Sequence, residues 1–569
     1  MSSRLVFAGS VALFIGSLCA TAGGFVGAAA PDVGTEAQRE SGKKLYLKYC
    51  SQCHGEKGDG EGYAAVHLRP RPRNFTSGKF KVRTTPSGAL PTHQDLVNII
   101  RQGMPYTSMP AWPNFSDGEV SDLAYFLTTF SADFSNPEKA PQPIDLPGGP
   151  KSSKETIELG KKLYEETGCV KCHGTLGRGD GTSAPTLKDD WDHPIRPADL
   201  TQSWTFRAGS SREDIFRTMT TGLNGTPMPS FVDSLKPEQR WAITDFIVSL
   251  SEGAREPGYS NLVVARYVQN PIDLSKGAAS FAAARAARFP IIGQIMQPGR
   301  SFHPPATSVL VQAIYDADSI AVLVRWHDMS AQKTGTNGPS LEVPPEEEEE
   351  PAAAPGEGNG NPFGDAEMAP AGQPANPFAD AEAPAAPASE FSDAIAIQVP
   401  SQAPAGARKP YFIFGDPQNS VDLWFFDLAQ SAPVQFTGKG SKDVAPRATG
   451  NVTGIANYDQ GEWSVIFKRP RRVESGVAFT PGEFLPVAFS VWDGSSRERG
   501  SRRGLTLWYS LYVEPEKVPS AAGPMVRTAL VILALEAIVI WWVRRNAARA
   551  RGDVGGARLR PGGATAGPP

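Results

Sequence analysis

Four of the five cysteines in this 569-residue chain stand in two pairs, each followed at once by histidine: Cys50-Ser-Gln-Cys53-His54 and Cys169-Val-Lys-Cys172-His173. Two thiols three positions apart can add to the two vinyl groups on one porphyrin edge, and the adjacent imidazole then reaches the iron. The pattern is the attachment signature of c-type haem. Zinc is the alternative for paired Cys-x-x-Cys, but it would gather four thiolates at one site and needs no histidine after each pair. The expectation is two covalently bound haems c, with Cys50, Cys53, Cys169 and Cys172 in thioether bonds and His54 and His173 on the irons.

A low-spin electron-transfer haem takes a second axial ligand, and methionine there raises the potential. Met104 and Met109 compete in the first copy, and the second copy decides. His54 to Met109 is 55 residues, as is His173 to Met228, whereas Met104 aligns with Leu223. Met109 and Met228 are the expected ligands. His67, His93 and His193 have no counterpart in the other copy and read as surface or packing residues. Arg71 and Arg196, each followed by proline, lie between haem motif and Met loop. They are candidates for haem propionate contacts, with a turn residue as the other reading.

These residues belong to a longer repeat. Gly42-Lys-Lys-Leu-Tyr is answered by Gly160-Lys-Lys-Leu-Tyr, Gly58-Asp-Gly60 by Gly179-Asp-Gly181, and Met109-Pro110 by Met228-Pro229. Each copy closes on an amphipathic stretch, about 117–130 and 237–250. From about 35 to 250 the chain resembles a tandem of class I cytochrome c domains, with both haem motifs and both Met-Pro loops intact. The resemblance implies two all-α domains, at 35–135 and 151–252.

Beyond residue 259 the pattern changes to alternating strand-like runs, at Val309–Tyr315, Ile320–Trp326, Ala394–Val399, Tyr411–Phe414, Val421–Phe426, Trp463–Phe467, Val487–Trp492 and Leu505–Val513. Short strands between Gly, Pro, Asp and Asn predict an all-β sandwich over 259–519. An acidic, Pro/Ala-rich stretch at 330–389, with Glu346 to Glu350 in a row, cannot bury enough apolar surface to order itself and reads as a disordered insertion.

Trp326-His-Asp328, Asp393 to Gln398, Tyr411 to Asp416, Val421 to Trp424, Trp463 to Pro470 and Phe489 to Gly494 together resemble the haem-binding domain of the ethylbenzene dehydrogenase gamma-subunit family. That resemblance implies an electron-transfer subunit of an exported molybdenum oxidoreductase of the dimethylsulfoxide reductase type. It also implies a b-type haem held by Met and Lys, and here the sequence departs. Phe414 precedes Gly415-Asp416 where Met is expected, and Arg502-Arg503 precede Trp508 where Lys is expected; arginine stays protonated and is a poor iron ligand. Two readings stand: a third haem, b, ligated through Met296, Met329 or Lys468, or a docking β-domain without a cofactor.

The ends point to a membrane. Leu5 to Ala30 is uncharged and reads as a signal peptide within 1–30, cleaved at Ala20-Thr21-Ala22 or retained as an anchor. Residues 524–544 are long and apolar enough for a transmembrane helix, and Arg544, Arg545, Arg549 and Arg551 then place the tail, 545–569, in the cytoplasm. Glu536 inside the span is a contact for a partner helix or proton path, or a protonated or snorkelling carboxyl. The net charge of −4, from 56 basic and 60 acidic residues, leaves no electrostatic footprint for nucleic acid.

The combined expectation is a dihaem electron carrier on a bacterial inner membrane, its bulk periplasmic, linking a periplasmic redox enzyme to a respiratory acceptor or donor. A dihaem peroxidase is the enzymatic alternative, but it needs an open iron position, and two intact Met-Pro loops argue against it.

Overall fold

The computed structural model describes residues 31–256, 258–344, 389–403, 409–474, 476–516 and 522–555. The expected signal peptide and most of the acidic insertion lie outside these residues. In the first repeat α1 (Glu36–Tyr49), α2 (Ser51–His54), α3 (His93–Gln102) and α4 (Asp117–Thr128) follow in order. In the second, α5 (Lys154–Glu166), α6 (Val170–His173), α7 (Arg212–Thr221) and α8 (Pro237–Leu250) repeat them. Hydroxyl residues set the starts: Thr35, Thr92, Ser116, Ser153 and Ser211 each close a reciprocal capping box with the side chain three residues on.

The first and last long helices of each repeat cross at a glycine. A Cβ added to Gly42 would stand 2.1 Å from the Asp122 carbonyl oxygen, and one on Gly160 would stand 1.9 Å from that of Ala242. Only hydrogen fits in that gap. Around the crossings, Tyr46, Leu96, Ile100 and Leu123 fill one core, and Tyr164, Ile215, Ile243 and Phe246 fill the other.

The two repeats are docked on each other. Arg83, 1% exposed, donates Nη2 to the Thr221 carbonyl at 2.5 Å and Nη1 to that of Gly222 at 3.3 Å. Lys79 pairs with Asp190 at 2.5 Å, the Arg73 guanidinium lies 4.6 Å from the Trp191 ring centroid, and Asn224 bonds the backbone at Gly88 and Ala89. Arg83→Met would take the 2.5 Å donor from the buried Thr221 carbonyl and leave that of Gly222 only the Thr221 hydroxyl at 3.1 Å; we expect it to destabilise the paired repeats by about 1–3 kcal/mol, read by denaturant unfolding.

The β-region holds β1 (Leu262–Tyr267), β2 (Ala287–Pro290), β3 (Ile292–Gly293), β4 (Ser308–Tyr315), β5 (Ser319–His327), β6 (Ala394–Pro400), β7 (Val421–Asp427), β8 (Val434–Gly438), β9 (Val444–Pro446), β10 (Thr453–Asp459), β11 (Glu462–Pro470), β12 (Phe484–Trp492), β13 (Gly504–Leu505) and β14 (Tyr509–Val513). The main path runs β10-β11-β5-β4-β1-β14-β12-β6-β7-β8-β9. The long strand β12 serves both halves, pairing with β14 through residues 484–487 and with β6 through 488–492. The halves then pack face to face, with Trp424 and Phe426 of β7 against Phe467 of β11 in one continuous core.

Three expectations are corrected. Tyr411–Phe414 is a turn, not a strand: Gln398 takes over its backbone, accepting from Phe414 N–H at 3.3 Å and donating to the Phe412 carbonyl at 3.2 Å. The run Leu505–Val513 breaks into β13 and β14 because its two ends pair with different stretches of β12. Residues 330–344 and Ser389, assigned to the disordered insertion, are folded. Asn337 donates to the Ser392 and Glu498 carbonyls at 2.6 and 2.9 Å, and Asp393 accepts from Gln332 N–H at 2.7 Å. Composition averaged over the window hid these single polar anchors.

The final helix, α9 (Ala522–Gly555), is long and apolar enough over Ala522–Arg549 to cross a membrane. It continues past the expected end at 544 because Arg and Ala are strong helix formers.

Candidate haem-binding sites

Each Cys-x-x-Cys-His motif folds as one helical turn. Cys169 is the N-cap of α6, which carries Cys172 and His173; Cys50, Cys53 and His54 stand in the same relation to α2. Three positions along a helix bring the paired thiols to one face. None of the four cysteines is in a disulfide, so all four sulfurs are available for attachment, and burial raises the thiol pKa of each, that of Cys50 to about 12.

The imidazoles are held from behind. His54 Nδ1 lies 3.0 Å from the Arg73 carbonyl and His173 Nδ1 2.9 Å from that of Ala198. Donation from Nδ1–H to a carbonyl leaves Nε2 as the free acceptor that a metal requires. Burial lowers both imidazole pKa values and keeps the rings in the neutral, ligating form. The turn after each motif is tied to the core by a tyrosine: Tyr46 donates to the Gly55 carbonyl at 2.5 Å and Tyr164 to that of Gly174 at 2.6 Å.

The methionine loops are built alike. Met104 N–H donates to the Met109 carbonyl and Leu223 N–H to that of Met228, at 3.0 and 3.1 Å. Thr107 and Thr226 hydroxyls accept from the N–H groups of Met109 and Met228 at 3.1 and 3.2 Å. Gly103 and Gly222, at φ +66° and +63°, turn the chain under the loop where a Cβ would meet backbone at 2.5 and 2.6 Å.

In the second repeat the four predicted groups converge. Cys169, Cys172, His173 and Met228 line one cavity of about 360 Å³ whose remaining wall is mostly apolar, including Phe206 and Ile243. Thioether donors, a neutral imidazole with a free Nε2 and a methionine in one apolar cavity fit a covalently held haem. Arg196 lines the same cavity and donates to the Pro305 carbonyl of the β-region at 3.1 Å. Arg71 faces Glu61 at 3.5 Å and keeps a buried Nε without a partner among the described residues. His93 stacks on Tyr125 at 3.9 Å, His67 lies 4.7 Å from the Phe302 ring, and His193 faces Asp189 at 3.5 Å. Sequence reasoning missed Lys81, Val82 and Tyr106 of the first repeat, which complete the second cavity, and weighed Met104 only as a ligand of the first haem, whereas it too lines the second cavity. No motif marks them, since their role depends on how the repeats pack.

Two helical repeats, each with its own haem motif and methionine loop, are joined to a large β-region. The family model described as cytochrome c matches residues 157–251, that described as cytochrome c oxidase, cbb3-type, subunit III matches 37–127, and that described as ethylbenzene dehydrogenase matches 437–504. The chain thus carries two cytochrome c domains, which imply covalently bound c-type haems, and an ethylbenzene dehydrogenase domain.

Among similar proteins, a putative respiratory nitrate reductase heme subunit of Haloferax mediterranei is 29% identical over 122 residues, 21% of this chain and 43% of that protein. The cbb3-type cytochrome c oxidase subunit CcoP of Helicobacter pylori is 26% identical over 225 residues, 38% of this chain and 61% of that protein. The chain therefore spans about two fifths to three fifths of these relatives' length. A chain of the Kuenenia stuttgartiensis reducing HAO-like protein complex is 43% identical, with 37% of this chain and 96% of that chain covered at a TM-score of 0.36.

The two positions where the resemblance expects ligands do not fit a b-type haem. Phe414 and Arg503, at the two expected ligand positions, are 1% and 0% exposed, and the guanidinium lies 3.8 Å from the Phe414 ring centroid. A cation–π pair fills the space between them. Met296 is exposed, and Lys468 Nζ donates to the Ile272 carbonyl at 2.6 Å.

Buried carboxylates give this region a pH dependence. Asp328, Asp393 and Asp493 bring oxygens within 4.8 Å of one another. Burial and the neighbouring Asp493 raise Asp393 to about 7 and Glu498 to about 8. The folded state therefore holds protons that the unfolded chain releases near pH 4, so stability falls as pH rises from about 4 toward 8. The expected result is a lower thermal midpoint of the β-region at pH 8.5 than at pH 5.5, by circular dichroism in chelator-containing buffer.

Proposed function

We propose that this chain is a membrane-anchored dihaem c-type cytochrome that carries electrons between a periplasmic oxidoreductase and a respiratory partner. The observation that carries the reading is the convergence of Cys169, Cys172, His173 and Met228 on one cavity, matched by the same backbone scaffold around Cys50, Cys53, His54 and Met109. A c-type haem held in this way supplies a one-electron ferric–ferrous couple.

The residues do the rest. The two cysteines of each motif bind the porphyrin edge. His54 and His173, oriented through Nδ1 by carbonyls, and Met109 and Met228, oriented by their threonine-supported loops, would hold the iron. Arg196, on the wall of the second cavity, would be within its reach for a propionate contact, whereas Arg71 is turned to Glu61. A histidine and a methionine together on one iron would leave no position for a substrate, which suits transfer rather than turnover. Apolar walls exclude water and favour the less charged iron state, which together with methionine ligation keeps the potential high.

α9 is the anchor in this reading, and the arginines at its end, by the positive-inside rule, support a cytoplasmic end with the cytochrome and β-regions on the outer side. The β-region packs on the turn after the second haem motif: Arg178 donates to the Gln460 carbonyl at 2.9 Å, and His327 faces Asp180 at 3.8 Å. With Phe414 and Arg503 filling its ligand positions, it serves as a docking module for the partner enzyme, whose class, by resemblance, is a molybdenum oxidoreductase.

The test is a pyridine haemochrome spectrum of the full chain before and after acid–acetone extraction, which removes haem b and leaves thioether-bound haem c. Two haems c per chain with nothing extractable is expected. Fewer than two would overturn the cytochrome reading, and one extractable haem would make the β-region a third relay. Molybdenum co-purifying in stoichiometric amount with the chain would support the partner class, and a co-purified redox enzyme without it would overturn that class.

A further inference from the structure

A porphyrin fixed through its vinyl edge at Cys169 and Cys172 carries two carboxylates on the opposite edge. Away from bulk water these need cations. The second cavity is lined by Lys81 of the first repeat and Arg207 of the second, together with Met104 and Tyr106 of the first. Asp189 is the carboxylate that stabilises the Lys81 charge from nearby without an ion pair to it among the described residues, and burial alone acts on Arg207.

The placement of Lys81 follows from its neighbours. Two residues before it, Lys79 pairs with Asp190 of the second repeat. Two residues after it, Arg83 donates to the Thr221 and Gly222 carbonyls and also to that of Lys81 itself, at 3.4 Å. The segment is pinned to the second repeat on both sides of Lys81, and the ammonium is left on the cavity wall.

We infer that Lys81 and Arg207, one from each repeat, form a seat for the propionate carboxylates of the second haem, so that the first cytochrome domain is part of the second haem's pocket. The inference rests on the haem reading above. It goes beyond that reading because a single cytochrome domain would be complete by itself, whereas here the second pocket is finished only when the repeats dock. Burial, with Arg73 and Arg207 nearby, lowers the Lys81 ammonium to about 7. An anion between the cations removes that penalty.

A cation beside the porphyrin favours the reduced, more negative state, so its removal lowers the potential of that haem. At roughly 10 Å and an effective dielectric of about 20 to 40, one charge changes the ferrous-to-ferric ratio at fixed poise about four- to seventeenfold, a tenfold change being about 59 mV.

The experiment is spectroelectrochemical titration of the full-length chain, with haem content measured in parallel. Lys81→Met is expected to lower one of two couples by that factor and Lys81→Arg to restore it. Arg207→Gln should act in the same direction, while Lys139→Met, which cuts an exposed ion pair with Asp133 outside the cavity, should leave both couples in place. In a Cys169→Ala/Cys172→Ala background, Lys81→Met should not move the remaining couple.

Unchanged couples in both Lys81→Met and Arg207→Gln, each loaded with two haems, would overturn the proposal. So would a Lys81→Arg variant as low as Lys81→Met, or a Lys81 effect that persists without the second haem. If Lys81→Met fails to load haem, Arg207→Gln decides. A wild-type chain with fewer than two haems c would instead sink the underlying cytochrome reading.

Discussion

Replacing Cys169 and Cys172 together with alanine is expected to halve the covalent haem content, from two to one per chain, while the first haem stays in place. The reason is local: the attachment chemistry of each repeat sits in its own helical turn, α2 or α6, and neither turn borrows a thiol from the other. Haem staining of a denaturing gel should show about half the signal per chain. The second cavity would then have to hold any haem through His173 and Met228 alone, and acid–acetone should extract that fraction. Unchanged staining would mean that the thiols are not the attachment points. A zinc site spanning both motifs would predict the opposite pattern, since loss of one pair would disrupt a single shared site.

Gly160→Val should unfold the second cytochrome domain under conditions where the wild type is stable. The added Cβ would overlap the Ala242 carbonyl oxygen at 1.9 Å, and the obstacle is backbone rather than a flexible side chain. Relief requires α5 and α8 to separate, which loosens the packing of Tyr164 against Phe246, at 5.2 Å between ring centroids, and with it the cavity wall at Ile243. Overpacking of this kind costs about 3 kcal/mol or more, comparable to the whole margin of a small domain. Denaturant unfolding should show loss of one cooperative transition, and haem loading at the second site should fall with it. Gly42→Val makes the matching prediction for the first domain, where Asp122 is the obstacle. A fully loaded, normally stable Gly160→Val chain would show that the crossing is looser than this packing requires.

The candidate ligands were legible in the sequence because covalent chemistry and helix geometry constrain spacing. The pairing of His54 with Met109 and of His173 with Met228 emerged from the equal separation in the two copies. The second cavity holds its pair along with both cysteines. The helix boundaries were legible for a similar reason: hydroxyl caps and apolar periodicity act within a few residues, and α8 spans the Pro237–Leu250 stretch read from periodicity alone.

The β-region was less legible. β1, β2, β8 and β10 were not marked, being short, mixed in polarity or dependent on partners far along the chain; β1, for example, lies parallel to both β14 and β4. Tyr411–Phe414 looked like a strand by residue type, yet its hydrogen bonds go to the side chain of Gln398, and Phe414 adopts φ +61°. Strand identity depends on which edge is free to pair, and that is a property of the assembled sheet.

The sequence by itself determined the haem chemistry, the duplication and the order of the regions, since each depends on residues close together or on a repeated interval. Only the tertiary structure decided how the two repeats face each other, that Lys81 and Met104 of one enter the cavity of the other, and that Arg503 lies on Phe414 where a haem ligand pair was expected. Those contacts join residues roughly a hundred positions apart through packing, and no local pattern of residue types encodes them.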